Sequence, residues 1–192
     1  MIRRHAATLA IAGALLLAAT PSVARPRLAD LRGHLLLGYA KLFSTAAPGG
    51  SLSIGAGIEH PIRGNLGAGF DVGYHLLGSR TLVQGTLSSG LDYSLFEALA
   101  QVHWATPGRG PQVVLSGGPG LFVARANLAS SPIGAIFSQQ AVEQTSPGLA
   151  LGVTVAQRRT SPVRVGFEAA MRVVPLDSDT WTLATARLAI LY

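Results

Sequence analysis

Eight ionised residues stand within otherwise apolar, alternating stretches: Glu59, Asp71, Glu97 and Glu168, against Arg158, Arg164, Arg172 and Arg187. Four carboxylates balanced by four guanidinium groups suit a buried ion-pair network or an ion path. Nucleophilic chemistry has weaker support. His34, His60, His75 and His103 are dispersed over four segments, and none has a serine two residues on. Asp92 and Ser94 share one parity of their segment but have no histidine of that parity nearby. Gly117-Gly118-Pro119-Gly120 lacks the lysine and the following helix of a phosphate loop, so it reads as a bend in a strand. Cysteine is absent, which removes disulfides and thiolate metal sites. No catalytic, cofactor-binding or metal-binding residue is assigned.

The segments that carry these charges alternate with period two. Parity predicts eight strands, near residues 33–43, 50–60, 65–76, 92–105, 112–125, 146–158, 163–174 and 181–192. At about 10 to 14 residues they are long enough to cross a bilayer at the usual tilt, where ~9–11 residues suffice. Their connections alternate in length. His60 to Gly64, Thr106 to Pro111 and Arg159 to Pro162 read as tight turns rich in Pro, Gly and Arg. Ser44 to Gly49, Leu77 to Leu91, Ala126 to Thr145 and Pro175 to Thr180 read as loops, two of them much longer.

The two parities differ in chemistry. Leu52, Ile54, Ala56 and Ile58 alternate with serine, glycine and Glu59, and Leu66, Phe70, Val72 and Tyr74 alternate with glycine, Asp71 and His75. A soluble barrel would turn the glycine-rich, ionisable parity to water, yet glycine weakens an exposed strand. Inside a narrow eight-stranded barrel, glycines instead leave room for long charged neighbours. The expected fold is therefore all-β, an eight-stranded antiparallel up-and-down transmembrane β-barrel with its apolar parity toward lipid. The fourth strand is less clean, because Leu95 and Leu99 share the parity of Glu97, and the first strand carries no decisive pattern.

Composition agrees with this architecture. Hydrophobic residues make up 48% of the chain and the mean hydropathy is +0.38, without an apolar run long enough for a spanning helix. Arg3 and Arg4, the apolar stretch Ala6 to Ala19 and Ser22-Val23-Ala24 read as a secretory signal over residues 1–24, leaving residues 25–192 as one barrel domain. The formal charge of +6 falls by two without Arg3 and Arg4, and the remaining arginines are scattered, which argues against nucleic acid as a partner.

With the apolar parity outward, all eight ionised residues point into the lumen as a structural charge network. Glu168 and Arg187 come at similar depth on neighbouring strands and are expected to bridge. Asp71 and Glu97 would repel at mid-depth unless Arg172 or Arg187 reached between them. Trp104 and Tyr192 are expected in the membrane-interface belt at one end, with Tyr74 a candidate for the other. The loop from Ala126 to Thr145 is the most credible contact surface.

Together with the closing Leu188-x-Ile190-x-Tyr192, these features resemble the small outer-membrane β-barrel superfamily, which includes the outer-membrane protein A, X and W types and opacity-like surface proteins. The resemblance is architectural and spans about residues 33 to 192. It implies a bacterial outer-membrane location, contact with lipid, insertion by the barrel insertion machinery through the last strand, and a monomer without cofactors. Three roles are open on it. The first is a non-enzymatic barrel with a filled lumen, serving envelope structure or surface contact. The second is a narrow pore or lateral-opening transporter for small hydrophobic molecules. The third is a lipid A-modifying enzyme, although the known lipid A deacylase barrels carry a His-x-Ser pair that is absent here.

Overall fold

The computed structural model describes residues 31–44, 49–84, 87–107, 110–128, 142–157, 162–177 and 179–192. The expected signal over residues 1–24, Arg158 and most of the loop from Ala126 to Thr145 lie outside these residues. Eight strands follow in order: β1 (Arg32–Phe43), β2 (Gly50–Arg63), β3 (Leu66–Gln84), β4 (Leu87–Ala105), β5 (Gln112–Leu128), β6 (Val142–Ala156), β7 (Arg164–Pro175) and β8 (Thr180–Leu191). Each pairs antiparallel with its sequence neighbour, and β1 pairs with β8 to close the barrel. Closure leaves no open edge whose backbone groups would be orphaned in hydrocarbon. At the seam, Gly33 and Tyr192 exchange two backbone hydrogen bonds of 2.9 and 3.0 Å. The Tyr192 ring lies over Gly33, where a Cβ would come 2.6 Å from the ring Cζ.

Alternation places the apolar parity on the outer wall. Among the described residues, thirty large apolar side chains are exposed there or at the ends, including Leu37, Ile54, Phe70, Leu121, Leu151 and Phe167. A water-soluble monomer rarely exposes a contiguous apolar patch beyond a few hundred Å², so this wall is built for hydrocarbon. The fourth strand is resolved by burial: Phe96, Val102 and Trp104 face out, while Leu95, Glu97 and Leu99 are fully covered. The first strand is oriented the same way, with Leu35, Leu37 and Tyr39 outward and His34, Leu36 and Ala40 inward.

Two loop expectations are corrected: Ala126 to Thr145 is shorter than expected, because β5 runs to Leu128 and β6 begins at Val142, with Ala126 paired to Val142. Leu77 to Leu91 is not a long loop, because β3 continues to Gln84 and β4 begins at Leu87, with backbone pairing from Ser79↔Asp92 to Gln84↔Leu87. The register shifts between Leu76 and Ser79, and Gly78 adopts φ +83°, a conformation that glycine takes without steric penalty. Such a bulge breaks the two-residue period and hides the strand from a parity reading.

Candidate functional site: the lumen

The barrel has two ends. At the turn end lie the hairpin between β2 and β3 and the Gly33–Tyr192 seam; at the loop end lie the connections between β1 and β2, β3 and β4, β5 and β6, and β7 and β8. Between them the lumen has three layers.

The middle layer is a ring of alternating charges from β4, β7 and β8. Arg172 donates to Glu97 through Nε at 2.7 Å and Nη2 at 2.9 Å, a two-pronged pairing that guanidinium geometry favours. Its Nη1 donates to Thr185 Oγ1 at 2.6 Å. Arg187 donates to Glu168 Oε1 from Nη2 at 2.6 Å and Nε at 3.2 Å. The ring closes through longer ion pairs, Arg187 Nη1 to Glu97 Oε1 at 3.8 Å and Arg172 Nη2 to Glu168 Oε1 at 3.9 Å. Glu168 and Arg187 are direct register partners, which is why they meet. Arg172 and Glu97 are each 1% exposed, so removing either partner would strand a charge away from water.

Behind Glu97, His75 Nε2 stands 3.2 Å from Oε1 without hydrogen-bond alignment, and Ser53 Oγ lies 2.9 Å from His75 Nδ1. A serine, a histidine and a glutamate in line invite comparison with an acyl-transfer triad. The arrangement differs in three respects: the hydroxyl meets Nδ1 rather than Nε2, Glu97 is occupied by Arg172, and Ser53 and His75 are 0% exposed. Sequence reading by strand missed this pair. Counting equally away from the tight turn at Gly64 places Ser53 opposite His75, so the hairpin register held the signal.

Toward the turn end the lumen is polar and incompletely filled. Asp71 is not bridged to Glu97 by an arginine, as the sequence suggested; its Oδ1 lies 3.1 Å from His34 Nε2. Glu97 sits one inward position nearer the loop end and takes both guanidinium contacts, leaving Asp71 below them. Glu59 Oε2 is 3.7 Å from His103 Nδ1, and Arg164 Nη1 donates to Gln112 Oε1 at 2.6 Å. A cavity of about 40 Å³ lies among His34, Glu59, Asp71, Gln101, His103 and Glu168. Glycines make space for these heads: a Cβ on Gly73 would come 2.6 Å from Glu97 Oε1, and one on Gly67 would come 2.6 Å from Glu59 Oε1.

Toward the loop end the interior is apolar. Leu77, Leu95, Leu99, Phe122, Val174 and Leu183 are 0% exposed and pack with Ala40, Leu42, Ala124, Ala150 and Trp181. Tyr93 stacks at a tilt against Trp181, ring centroids 6.1 Å apart. Sequence reading did not isolate this plug. On the outer wall Tyr74, Trp104 and Tyr192 are 38%, 42% and 58% exposed, Trp104 and Tyr192 at the turn end and Tyr74 farther along β3.

A closed eight-stranded barrel with an apolar exterior and a charged, packed interior defines the fold class: an antiparallel up-and-down transmembrane β-barrel. Solved structures share this fold. Neisserial surface protein A superposes with a TM-score of 0.61 at 15% identity, covering 84% of this chain and 96% of its own. A major outer membrane protein from Thermus thermophilus gives 0.57 at 12% identity, over 84% and 97%. Ail, the attachment invasion locus protein of Yersinia pestis, in complex with the heparin analogue sucrose octasulfate, gives 0.53 at 12% identity, over 85% and 99%. No protein-family model and no curated protein matches the sequence.

Proposed function

We propose that this protein is a non-enzymatic, monomeric barrel of the bacterial outer membrane that serves envelope structure or surface contact through its outer loops. The filled lumen carries the reading: among the described residues, the apolar plug around Phe122 and Leu99 lies above a ring of paired charges, and together these side chains occupy the bore. In a barrel of this width the interior is filled by side chains, and the charge network at Glu59, Asp71, Glu97, Arg164, Glu168, Arg172 and Arg187 then has a structural role, with Arg158 assigned to it from parity alone. The turn end faces the periplasm and the loop end the exterior, with Trp104 and Tyr192 in the periplasmic aromatic belt and Tyr74 toward the opposite one. The segment over residues 1–24 directs export, and the last strand is the part the barrel insertion machinery engages.

The non-enzymatic reading is supported by the sealed Ser53–His75–Glu97 arrangement, whose acid is held by arginine. The test has three parts. Reconstitution in planar bilayers is expected to give no unitary current, and lipid A from expressing cells is expected to keep its mass. Protease added to intact cells is expected to cut within residues 129–141. Discrete conductance steps would favour the pore, a mass change in lipid A would favour the enzyme, and protection of the loop on intact cells would overturn surface contact.

A further inference from the structure

The two ends of the lumen differ in how their charges are compensated. Glu97 and Glu168 are satisfied by guanidinium groups in the middle ring. Among the described residues, the ion pairs of Asp71 and Glu59 are with His34 and His103 instead, at 3.1 and 3.7 Å, and neither contact has hydrogen-bond geometry. Arg32 stands opposite Glu59 in the β1–β2 register near the rim, and Arg164 is engaged by Gln112, so Asp71 is the deepest carboxylate without an arginine. Asp71 and His103 are each 7% exposed, and Asp71 Oδ1 and His103 Nε2 have no hydrogen-bond partner among the described residues. Both residues line the cavity of about 40 Å³. A buried carboxylate oxygen without a donor is unfavourable, and a space of this size and polarity is not one that stays dry.

We infer that the turn-end cavity is a binding site for one small monovalent cation of sodium size, entering from the turn end and held at Asp71. The lining is chemically consistent: Asp71, Glu59, Glu168, Gln101, Ser116 and Thr154 border one space beside His34 and His103, and the carboxylate, amide and hydroxyl oxygens these residues offer are hard donors that suit alkali or alkaline-earth ions over soft metals. The space accommodates an ion with one or two waters, and not the several waters that magnesium retains. The arginine ring and the apolar plug close the other end, so the site is a dead end rather than a path. It lies at the opposite end from the loops and is independent of the surface-contact reading.

The test is thermal unfolding of the refolded barrel in detergent at pH 8, with sodium, potassium or lithium chloride against N-methylglucamine chloride at equal ionic strength. One small cation is expected to raise Tm by about 2–4 °C with saturation, and Asp71→Asn is expected to abolish the difference while Glu143→Gln, in an exposed rim pair, keeps it. Equal Tm in all four salts, or an undiminished preference in Asp71→Asn, would overturn the site. Because Asp71→Asn could impair folding, sodium-23 NMR relaxation of the unmodified refolded barrel supplies an independent reading. Saturable line broadening that lithium chloride competes away and N-methylglucamine chloride does not is expected, and sodium relaxation equal to that of protein-free micelles excludes the site.

Discussion

The two halves of the lumen are built from the same strands and the same alternation, yet one excludes water and the other invites it. Toward the loops, every inward position from Leu95 to Leu99 on β4 other than Glu97 is leucine, and Phe122, Val174 and Leu183 meet these side chains from β5, β7 and β8. Toward the turns, the inward positions of β2 and β3 are glycines, histidines and carboxylates, and the space between them is not filled. The charged ring at Glu97, Arg172, Glu168 and Arg187 is the boundary. A barrel interior is thus no uniform medium: packing density closes one half and electrostatic pairing organises the other.

Removing one side of the boundary should have the largest effect. Arg172→Met leaves the Glu97 carboxylate without its two-pronged partner at 1% exposure, and a loss of about 3–5 kcal/mol is expected from reversible denaturant unfolding in micelles. Phe122→Ala opens the apolar half and should cost about 3–4 kcal/mol in the same assay, with planar bilayers still silent because the ring below is intact. A current in Phe122→Ala would show that the plug alone seals the barrel. Gly73→Ala brings a methyl to 2.6 Å from Glu97 Oε1, and since Arg172 restrains that carboxylate, about 1–3 kcal/mol is expected. Arg125→Ala, which breaks the exposed pair with Glu143 at 2.8 Å, should change stability by less than about 1 kcal/mol and fade further in salt.

The same contrast explains what the sequence could disclose. Where the inward parity is polar, as in β2, the first half of β3 and β7, the difference between faces is plain, and the Glu168–Arg187 contact follows from hairpin register. Where the inward parity turns apolar, both faces look alike. This is why β1, with Leu36 and Leu42 inside and Leu35 and Leu37 outside, gave no orientation, and why Leu95 and Leu99 blurred β4. The bulge at Gly78 concealed the far part of the β3–β4 hairpin for a different reason, since one displaced residue inverts the parity beyond it. Contacts across the lumen, such as Arg172 with Glu97 and Asp71 with His34, depend on how far side chains reach over the barrel or a glycine. No strand-by-strand reading encodes that.

The seam between Gly33 and Tyr192 has a kinetic consequence. It unites segments from the two extremes of the domain, so its contacts span nearly the whole sequence and demand the largest loss of chain entropy of any hairpin-like pairing in the molecule. Such long-range pairing slows spontaneous folding, because none of its reward arrives until the ends have found one another. A chain that lacked β8 would therefore keep six local hairpin pairings and still fail to seal, remaining a curved sheet with two sticky borders in the bilayer.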